Sequence, residues 1–402
     1  MISSRRIAVI GGGASAAILA ANIAKGVREG AAVEIDIYDR RGNFPRGVAY
    51  GTEFSSHCLN VRAANMSAFM DDAEHFARWA AGHSGYAPED FVPRIVFGKY
   101  LDSIVEEARE KISVRVIGAD VHACERTAEG FSVVTNDGSK TYDIAVQASG
   151  NVRLIQPRCA ESVTGYAAEP WFVSSYEDIP QDGRVVLIGS GLSAADAVGS
   201  LFERGFDGEI VIVSRNGWMP CGHVPPAKYP PFVAEEEIAL PPSKMMRRIR
   251  AEVRKAAGEG VSWHAVIDSL RGTTNKTWQA WGMRERSIFL RRAFTAWNIH
   301  RHRMSPETAA RIASYQNAGK LRFVKDSVLS VEAPCVVRCA KQDIAADAVI
   351  NCMGYRYEEG RAFDVLHRIG PSRFGELFET TAIPEVRAQA GEIAARILSA
   401  CK

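Results

Sequence analysis

Two short glycine-rich turns have the residue types and spacing that bind the pyrophosphate of a dinucleotide. They lie in RIAVIGGGASAA (residues 6–17) and VVLIGSGLSAADA (residues 185–197), each between an apolar run and a helical pattern. The first glycine permits a sharp turn, and the second lets the backbone approach the phosphates, which the helix N-terminus attracts. The sequence therefore predicts two dinucleotide sites. Their residues are Gly11, Gly13, Ala14 and Ser15 in the first turn, and Gly189, Gly191, Leu192 and Ser193 in the second.

The residue that ends the next strand in each half indicates which nucleotide binds there. In the first half this residue is Asp39, followed by Arg40. A carboxylate accepts hydrogen bonds from ribose hydroxyls and repels a 2′-phosphate, so FAD or NAD is predicted. In the second half the strand ends in Ser214 and Arg215. Because arginine binds phosphate bidentately, NADPH is predicted there; the less favoured alternative is that Arg215 is a solvated loop residue.

The elements that position these turns occur twice along the chain. Each half runs strand, turn, helix, strand, and closes with an apolar strand that ends in glycine, at Ser149-Gly150 and at Met353-Gly354. The NDG at 136–138 indicates a hairpin within an antiparallel meander. We therefore predict an α/β fold with two Rossmann-like dinucleotide-binding domains of the three-layer ββα type, with antiparallel β-meanders. The predicted domains are an FAD-binding domain (1–155 plus 335–402), a linker (156–179), and an NADPH-binding domain (180–334) with a helical insertion (216–320).

Composition excludes several other classes of protein. The 402 residues are 47% hydrophobic and 24% charged, with a net charge of +2, so no broad cationic face for nucleic acid is expected. The uncharged stretch 7–24 is interrupted by small residues that suit a tight turn, which argues against a membrane segment or a signal peptide. The eight cysteines include no C-x-x-C pair, which suits reduced thiols in the cytoplasm.

A dense basic segment, WNIHRHRM (297–304), is the other concentration of reactive side chains. It could bind phosphate or an anionic substrate, and His300 and His302 could act as acid–base groups near neutral pH. The alternative is a helix surface whose arginines pair with acids elsewhere. The spacing disfavours zinc, and no metal site is predicted. Four tryptophans could line a pocket between the domains or could be core residues, and core is the favoured interpretation for any one of them: Trp218, Trp278, Trp281 and Trp297.

Longer segments resemble the FAD/NAD(P)-binding protein family with two dinucleotide-binding domains. That family is related in plan to the flavin-containing and N-hydroxylating monooxygenases, and some relatives are described as FAD-dependent urate hydroxylases. The resemblance covers nearly the whole chain. It is carried by GVAYGT (47–52), HCLNVRAANMSAF (57–69), FVPRIVFGKYL (91–101), VSRNGWMP (213–220), WNIHRHRMSP (297–306) and GELFETTAIPEVRAQA (375–390).

The resemblance implies a flavin site in the first domain. In this plan the loop 57–69 wraps the flavin, although by itself it could be a long surface loop. The last helix, whose first turn holds Pro384, aims its N-terminus at the N1–C2=O edge of the flavin, although it could equally be an ordinary terminal helix. The residues assigned to cofactor binding in this way are Asn60, Ser67, Ser149, Gly150, Gly354, Gly370, Thr380 and Thr381.

The function implied is that of an NADPH-dependent FAD monooxygenase. NADPH would pass a hydride to flavin N5, and reduced flavin would react with O2 to form a C4a-(hydro)peroxide that hydroxylates a small molecule. The candidate catalytic residues are Asn60, Arg62, His300 and His302. Two alternatives stay open. One is an NADPH dehydrogenase that passes electrons to a quinone or carrier, and the other is a non-enzymatic FAD/NADPH-binding sensor.

Overall fold

The computed structural model describes residues 5–28, 32–151, 153–356 and 363–399. The strands are β1 Arg5–Ile10, β2 Val33–Tyr38, β3 Ser113–Ile117, β4 Ala123–Thr127, β5 Gly130–Thr135, β6 Gly138–Tyr142, β7 Ile144–Gln147, β8 Tyr166–Ala167, β9 Arg184–Ile188, β10 Glu209–Ser214, β11 Leu321–Lys325, β12 Val328–Glu332, β13 Val336–Cys339, β14 Asp343–Ala345, β15 Ala348–Asn351 and β16 His367–Arg368. The helices are α1 Ala14–Gly26, α2 Gly47–Tyr50, α3 His75–Ser84, α4 Arg94–Arg109, α5 Leu192–Glu203, α6 Pro242–Gly258, α7 Trp263–Ser269, α8 Arg271–Ala280, α9 Met283–Arg292, α10 Phe294–Arg301, α11 Pro306–Asn317 and α12 Ile383–Ser399.

These elements form two compact units. The first takes its described residues from Met1–Leu154, Tyr355–Gly375 and Thr380–Lys402. The second consists of Ile155–Gly354 and Glu376–Glu379.

The first unit is built on a five-stranded parallel sheet in the order β16-β7-β1-β2-β3. Ile7 and Val9 of β1 point into a core shared with α1, α4 and α12. Ala8 and Ile10, which alternate with them, point into a second core against the antiparallel strands β4-β5-β6. Because both faces of the sheet are covered, successive residues of β1 are apolar from Ile7 to Ile10 instead of alternating between apolar and polar.

The second unit repeats this plan. Its parallel sheet has the order β11-β10-β9-β15-β8, and a separate antiparallel sheet has the order β12-β13-β14. Val186 and Ile188 of β9 share a core with Val331 and Val337 of the antiparallel strands. The chain between β10 and β11 carries α6–α11, which lie in the predicted helical insertion.

The predicted fold class is confirmed, because each unit joins a parallel sheet with helices and an antiparallel sheet. The predicted hairpin at NDG is also present, with Thr135 paired to Gly138 between β5 and β6. Among the described residues, no helix is both long and apolar enough to cross a membrane.

The predicted domain boundaries differ from the observed units in several places, one of which is Glu376–Glu379, predicted in the first domain and found in the second unit. Residues 335–354, assigned to the first domain, belong to the second unit because β15 pairs in register with β9. The predicted linker 156–179 contributes β8, which pairs with β15 in the same sheet. The physical reason is that β15 and β8 pair with strands that lie far from them in the chain. The order of segments along the chain does not show which sheet a strand will join.

Candidate functional site

The first glycine turn is shaped by close backbone contacts within the first unit. Gly11 follows β1 at a φ of +114°, and a Cβ there would lie 2.4 Å from the carbonyl oxygen of Ala148. The Gly11 N–H donates to the carbonyl oxygen of Tyr38 at 2.9 Å. The chain ends of β1, β2 and β7 therefore converge, and the turn lies directly beside Ser149. No residue with a side chain fits at position 11 without moving the backbone.

Helix α1 begins immediately after this turn without a side-chain cap. Gly13 is its N-cap residue, and no side chain accepts a hydrogen bond there. The loop at α2 comes close, since a Cβ on Gly47 would lie 3.0 Å from the Cα of Gly13. An uncapped helix N-terminus carries unpaired N–H groups and a partial positive charge, which together suit a phosphate.

Ser15 in the first turn of α1 lies beside a distant segment of the same unit. A Cβ on Gly370 would lie 2.6 Å from the Ser15 Oγ and 4.0 Å from the Thr380 carbonyl oxygen. The Gly370 N–H donates to Gln389 Oε1 of α12 at 2.8 Å. Thr380 is buried, whereas Thr381 is exposed. The structure therefore gathers Ser15, Gly370 and Thr380 around the N-terminus of α1.

Asp39 holds the loop that follows β2. Its carboxylate accepts backbone N–H groups of Arg41 at 3.1 Å, Asn43 at 2.6 Å and Phe44 at 2.8 Å. The Asp39 side chain is buried, and a Cβ on Gly12 would lie only 2.4 Å from the Asp39 Cβ. Asp39 thus has an anchoring role that the sequence did not indicate. Arg40 is exposed and lies 3.7 Å from Asp120.

The predicted flavin-wrapping loop is held mainly by contacts within the first unit. The Ser67 hydroxyl is fully buried and donates to the Asp72 carbonyl oxygen at 2.6 Å. Arg62 donates to the Glu89 carbonyl oxygen at 2.6 Å and lies over the Phe91 ring. Asn60 is half-buried in the same loop. These contacts give Ser67 and Arg62 loop-fixing roles, and they do not favour the predicted catalytic role of Arg62.

The second glycine turn reproduces the first within the second unit. Gly189 has a φ of +106°, and a Cβ there would lie 2.5 Å from the carbonyl oxygen of Cys352. Gly191 is the N-cap residue of α5, again without a side-chain cap, so Leu192 and Ser193 begin an uncapped helix. A Cβ on Gly191 would meet no heavy atom within 4 Å, which leaves open space in front of this helix.

The chain end of β10 presents positive charge beside this turn. The hydroxyl oxygens of Ser190 and Ser214 lie 2.9 Å apart, which ties the turn to the end of β10. Arg215 is exposed, and among the described residues it has no hydrogen bond or ion pair. Lys325, also exposed, is the register partner of Ser214 on β11. Sequence reasoning missed Lys325, because only the sheet order shows that β11 lies beside β10.

Gly150 and Gly354 occupy equivalent places in the two units. Gly150 follows the Ala148–Ser149 segment that contacts Gly11, and Gly354 follows the Cys352–Met353 segment that contacts Gly189. Gly354 therefore belongs beside the second turn, not in the first domain where the predicted boundary put it.

The basic segment 297–304, which begins on α10 and continues past its end, is largely neutralised by acids of the same unit. Arg301 binds Glu379 through two hydrogen bonds, from Nε to Oε1 at 2.7 Å and from the terminal nitrogen to Oε2 at 3.0 Å. Both side chains are 6% exposed. Arg303, also buried, pairs with Asp268. Both arginines thus pair with acids, as the alternative interpretation has it, but they are buried and do not form a helix surface.

The two histidines of this segment differ in their surroundings. His300 Nδ1 lies 2.7 Å from the Ala296 carbonyl oxygen, and its ring meets Trp263 edge-on. Burial and the neighbouring Arg301 guanidinium lower the pKa of His302 to about 4, although the Glu379 carboxylate opposes this. His302 is therefore neutral near pH 7, and the structure does not favour its predicted role as an acid–base group there.

The lowered pKa of His302 predicts a pH dependence of stability. The folded-state pKa of about 4 lies below the ordinary value of 6.5, so the unfolded chain binds more protons between these values. The contribution to stability is complete above about pH 6.5 and is lost as the pH falls towards 4. Through His302, the wild type should lose at most about 3 kcal/mol in the free energy of unfolding as the pH falls from 6.5 to 4. We expect this loss to be absent in His302→Asn, because asparagine does not titrate. Urea unfolding at a series of pH values measures it.

The control for this experiment is His122→Asn, which removes an exposed histidine of the first unit. Its unfolding free energy should follow the wild-type pH profile. If the His302→Asn and wild-type profiles run parallel between pH 4 and 6.5, the lowered pKa is refuted.

One protein-family model matches part of the first unit. Residues 8–152 match the model of a family described as FAD-NAD(P)-binding. The comparison with curated proteins gave no match. Within the described residues, no group of three or more histidine, cysteine or acidic side chains is arranged to hold a metal ion.

Solved structures share the fold along the whole chain. The reduced ornithine hydroxylase of Pseudomonas aeruginosa is 17% identical, with a TM-score of 0.63 and 100% of both chains covered. The ornithine N-hydroxylase of Kutzneria sp. 744, with reduced FAD, NADP+ and L-ornithine, is 15% identical, with a TM-score of 0.61 and the same coverage. Bacillithiol disulfide reductase of Staphylococcus aureus is 14% identical, with a TM-score of 0.56 and 100% of both chains covered. The predicted plan with two dinucleotide-binding domains is thereby confirmed at the level of the fold.

Proposed function

We propose that the chain is an FAD-containing, NADPH-dependent oxidoreductase, and that it is a monooxygenase which hydroxylates a small molecule with O2. The observation that carries this proposal is the contrast between the two glycine turns. The first has the Asp39 carboxylate at the end of the next strand, whereas the second has Arg215 there and Lys325 on the neighbouring strand β11. One chain therefore combines a cradle suited to FAD with a cradle suited to a 2′-phosphorylated donor.

The residues of the first unit fit FAD. The turn at Gly11 leaves no room for a side chain, and the N-terminus of α1 has no side-chain cap, so it can receive a pyrophosphate. When bound, FAD supplies the redox chemistry, which takes a hydride from NADPH and then uses oxygen. The N–H groups of Ala14 and Ser15 would hold the phosphates, and Asp39 would disfavour a 2′-phosphate at the adenosine end.

The residues of the second unit fit NADPH. The open space in front of Gly191 gives the pyrophosphate access to the N-terminus of α5. Arg215 is exposed and unpaired among the described residues, so its guanidinium is available for bidentate binding of a 2′-phosphate. Lys325 adds a second positive charge on the neighbouring strand.

The solved structures of similar fold favour the monooxygenase outcome. Two of them are ornithine hydroxylases, and one of these two structures is described with reduced FAD and NADP+. The disulfide reductase of similar fold represents a different outcome. This sequence contains no C-x-x-C pair, so it lacks the thiol–disulfide relay of thioredoxin-reductase-like flavoproteins. The proposal places the protein in the cytoplasm, with a small molecule and O2 as its reaction partners.

The test follows reduction of the bound flavin by its visible absorbance, under argon, with NADPH or NADH as donor. We expect Arg215→Ala to raise the NADPH concentration for half-maximal rate by about 10- to 100-fold, because a charge-assisted bidentate contact is lost. The NADH value should change by less than about twofold, because NADH has no 2′-phosphate. Lys325→Ala should also raise the NADPH concentration for half-maximal rate, by a smaller factor. The matched control is Arg250→Ala, which removes an exposed arginine on α6.

The outcomes separate the alternatives. Equal effects of Arg215→Ala on NADPH and NADH refute the phosphate assignment. A flavin that NADPH does not reduce indicates a sensor rather than an enzyme. Admission of air with candidate substrates then distinguishes hydroxylation from electron transfer to a quinone or carrier. A purified protein that is colourless and does not bind added FAD overturns the whole proposal.

A further inference from the structure

A pocket lies within the helical segment of the second unit, and five aromatic side chains form part of its wall. These are Trp278, Trp281, Phe289, Trp297 and Phe378. Its volume is about 450 Å³, counting the space that opens to solvent. This volume falls within the range of about 300 to 1,000 Å³ that sites for small molecules occupy.

The pocket bears on the two interpretations of the tryptophans. Trp278, Trp281 and Trp297 are buried, as core residues are, and they also line this pocket, which lies within one unit. Trp218 is 49% exposed, so it is not a core residue, and the described lining of the pocket does not include it.

The aromatic side chains are held in place by one another and by the backbone. The Trp278 and Phe378 rings stack with centroids 5.0 Å apart, and Phe289 meets Phe378 edge-on at 5.4 Å. Trp281 lies 5.3 Å from Phe289. Phe378 comes from a distant segment of the chain, and its N–H donates to Asn275 Oδ1 at 3.0 Å. The wall is therefore already formed, and it offers flat apolar surface to a ligand.

Three polar groups of the lining residues are bonded to the protein's own backbone. The hydroxyls of Thr273 and Thr274 donate to the Leu270 carbonyl oxygen at 3.0 and 2.9 Å. The Trp281 Nε1–H donates to the Leu240 carbonyl oxygen at 2.8 Å. None of the described residues that line the pocket is ionisable, and the surface that faces it is mostly apolar. A ligand would therefore gain free energy there chiefly by burying apolar surface.

The lining residues differ in exposure. Val233, Met246, Thr273 and Thr274 are half-buried, whereas the other described lining residues, including all five aromatic ones, are buried. Solvent therefore reaches the pocket past these four residues, and the aromatic rings form its inner wall. Because a methionine side chain is unbranched and flexible, Met246 can adapt to the shape of a ligand at this entrance.

We propose that this pocket binds a small, uncharged, apolar ring compound. The packed aromatic rings bury the ring of the ligand, and the apolar surface removed from water stabilises the complex. An ionic ligand fits less well, because it would lose its hydration and find no opposite charge among the described lining residues. This inference goes beyond the proposed function and does not depend on it, since the binding requires neither FAD nor NADPH.

The experiment compares three probes of nearly the same shape by isothermal titration calorimetry on the full chain as purified, without added NADPH. Ethylbenzene is uncharged, benzylammonium has an ammonium group in place of its methyl group, and benzoate carries a carboxylate. We expect ethylbenzene to bind with a dissociation constant below about 1 mM. Both ions should bind at least about 100-fold more weakly, because the desolvated charge is left without a partner.

Substitutions at the entrance test whether the probe binds in this pocket. Met246→Trp and, separately, Val233→Trp enlarge half-buried lining residues, and each should weaken ethylbenzene binding at least about tenfold. The matched control is Met283→Trp, which places the same side chain at a methionine that is 90% exposed and outside the described lining. Its affinity for ethylbenzene should stay within about twofold of the wild type. Thermal unfolding reports whether each variant is folded, and either entrance variant is sufficient.

Several results would overturn this proposal. These are no binding of ethylbenzene, binding of either ion as tight as that of ethylbenzene, or unchanged ethylbenzene binding in a folded entrance variant. The comparison of the three probes on the wild type holds even where a variant does not fold. Because the readout is the heat of probe binding, these failures are distinguishable from failure of flavin reduction.

Discussion

Alanine at position 191 is expected to lower the rate of flavin reduction at low NADPH by about 100-fold while leaving the stability of the protein unchanged. Gly191 has a φ of −86°, which any residue adopts, and an ideal Cβ there would meet no heavy atom within 4 Å. The fold therefore tolerates the methyl group. The methyl group would, however, fill the space through which a pyrophosphate approaches the N-terminus of α5. Flavin reduction and urea unfolding together measure the two effects.

Gly189→Ala is the matched comparison, two residues earlier in the same turn. At a φ of +106°, its Cβ would lie 2.5 Å from the Cys352 carbonyl oxygen. This variant should lose NADPH use and also at least about 2 kcal/mol in the free energy of unfolding, because strain and collision act on the fold itself. If Gly191→Ala reduces its flavin as the wild type does, the phosphates of the donor do not bind at this turn.

Glu379→Ala is expected to lower the free energy of unfolding by about 3–5 kcal/mol, because it removes the buried carboxylate that pairs with the Arg301 guanidinium inside the second unit. Both side chains are 6% exposed, and their two hydrogen bonds are 2.7 and 3.0 Å long. The Asn275 Oδ1 also accepts the N–H groups of Phe378 and Glu379, so the segment is attached through its backbone as well. Urea unfolding measures the change.

The control for this prediction is Glu307→Ala, which removes a surface partner of Arg311. Glu307 is 68% exposed in its ion pair, so its loss should cost less than about 1 kcal/mol. The double variant Arg301→Met with Glu379→Leu should recover most of the stability, because replacing both buried charges by apolar side chains is often neutral. A small effect of Glu379→Ala alone would show that the buried pair does not stabilise the second unit.

Much of the fold could be predicted from the sequence because its signals are local. A strand, a glycine turn and a helix follow one another within about a dozen residues, so both dinucleotide turns and the strands beside them could be identified by position. The hairpin at Asn136-Asp137-Gly138 is equally local. Residue chemistry at Asp39 and Arg215 could be interpreted in the same way, because each directly follows or ends a recognisable strand.

Several side chains that the sequence marked as site residues have surroundings that local residue patterns do not show. The sequence left open whether Arg301 binds an anion or pairs with an acid, because its partner Glu379 lies in a separate segment of the second unit. His302 looked like a neutral-pH base because the burial that lowers its pKa is a property of packing. Ser67 looked like a ligand residue, but its hydroxyl is bonded to its own loop.

The sequence by itself determined the two dinucleotide turns, since the conformation of a tight turn and the start of a helix depend on neighbouring residues. Only the tertiary structure decided that β15 completes the second sheet, that Lys325 lies beside Ser214, and that Trp297 lines a pocket together with Phe378. The physical reason is that sheet order, burial and hydrogen-bond satisfaction arise from contacts between segments distant in sequence, which local residue patterns do not encode.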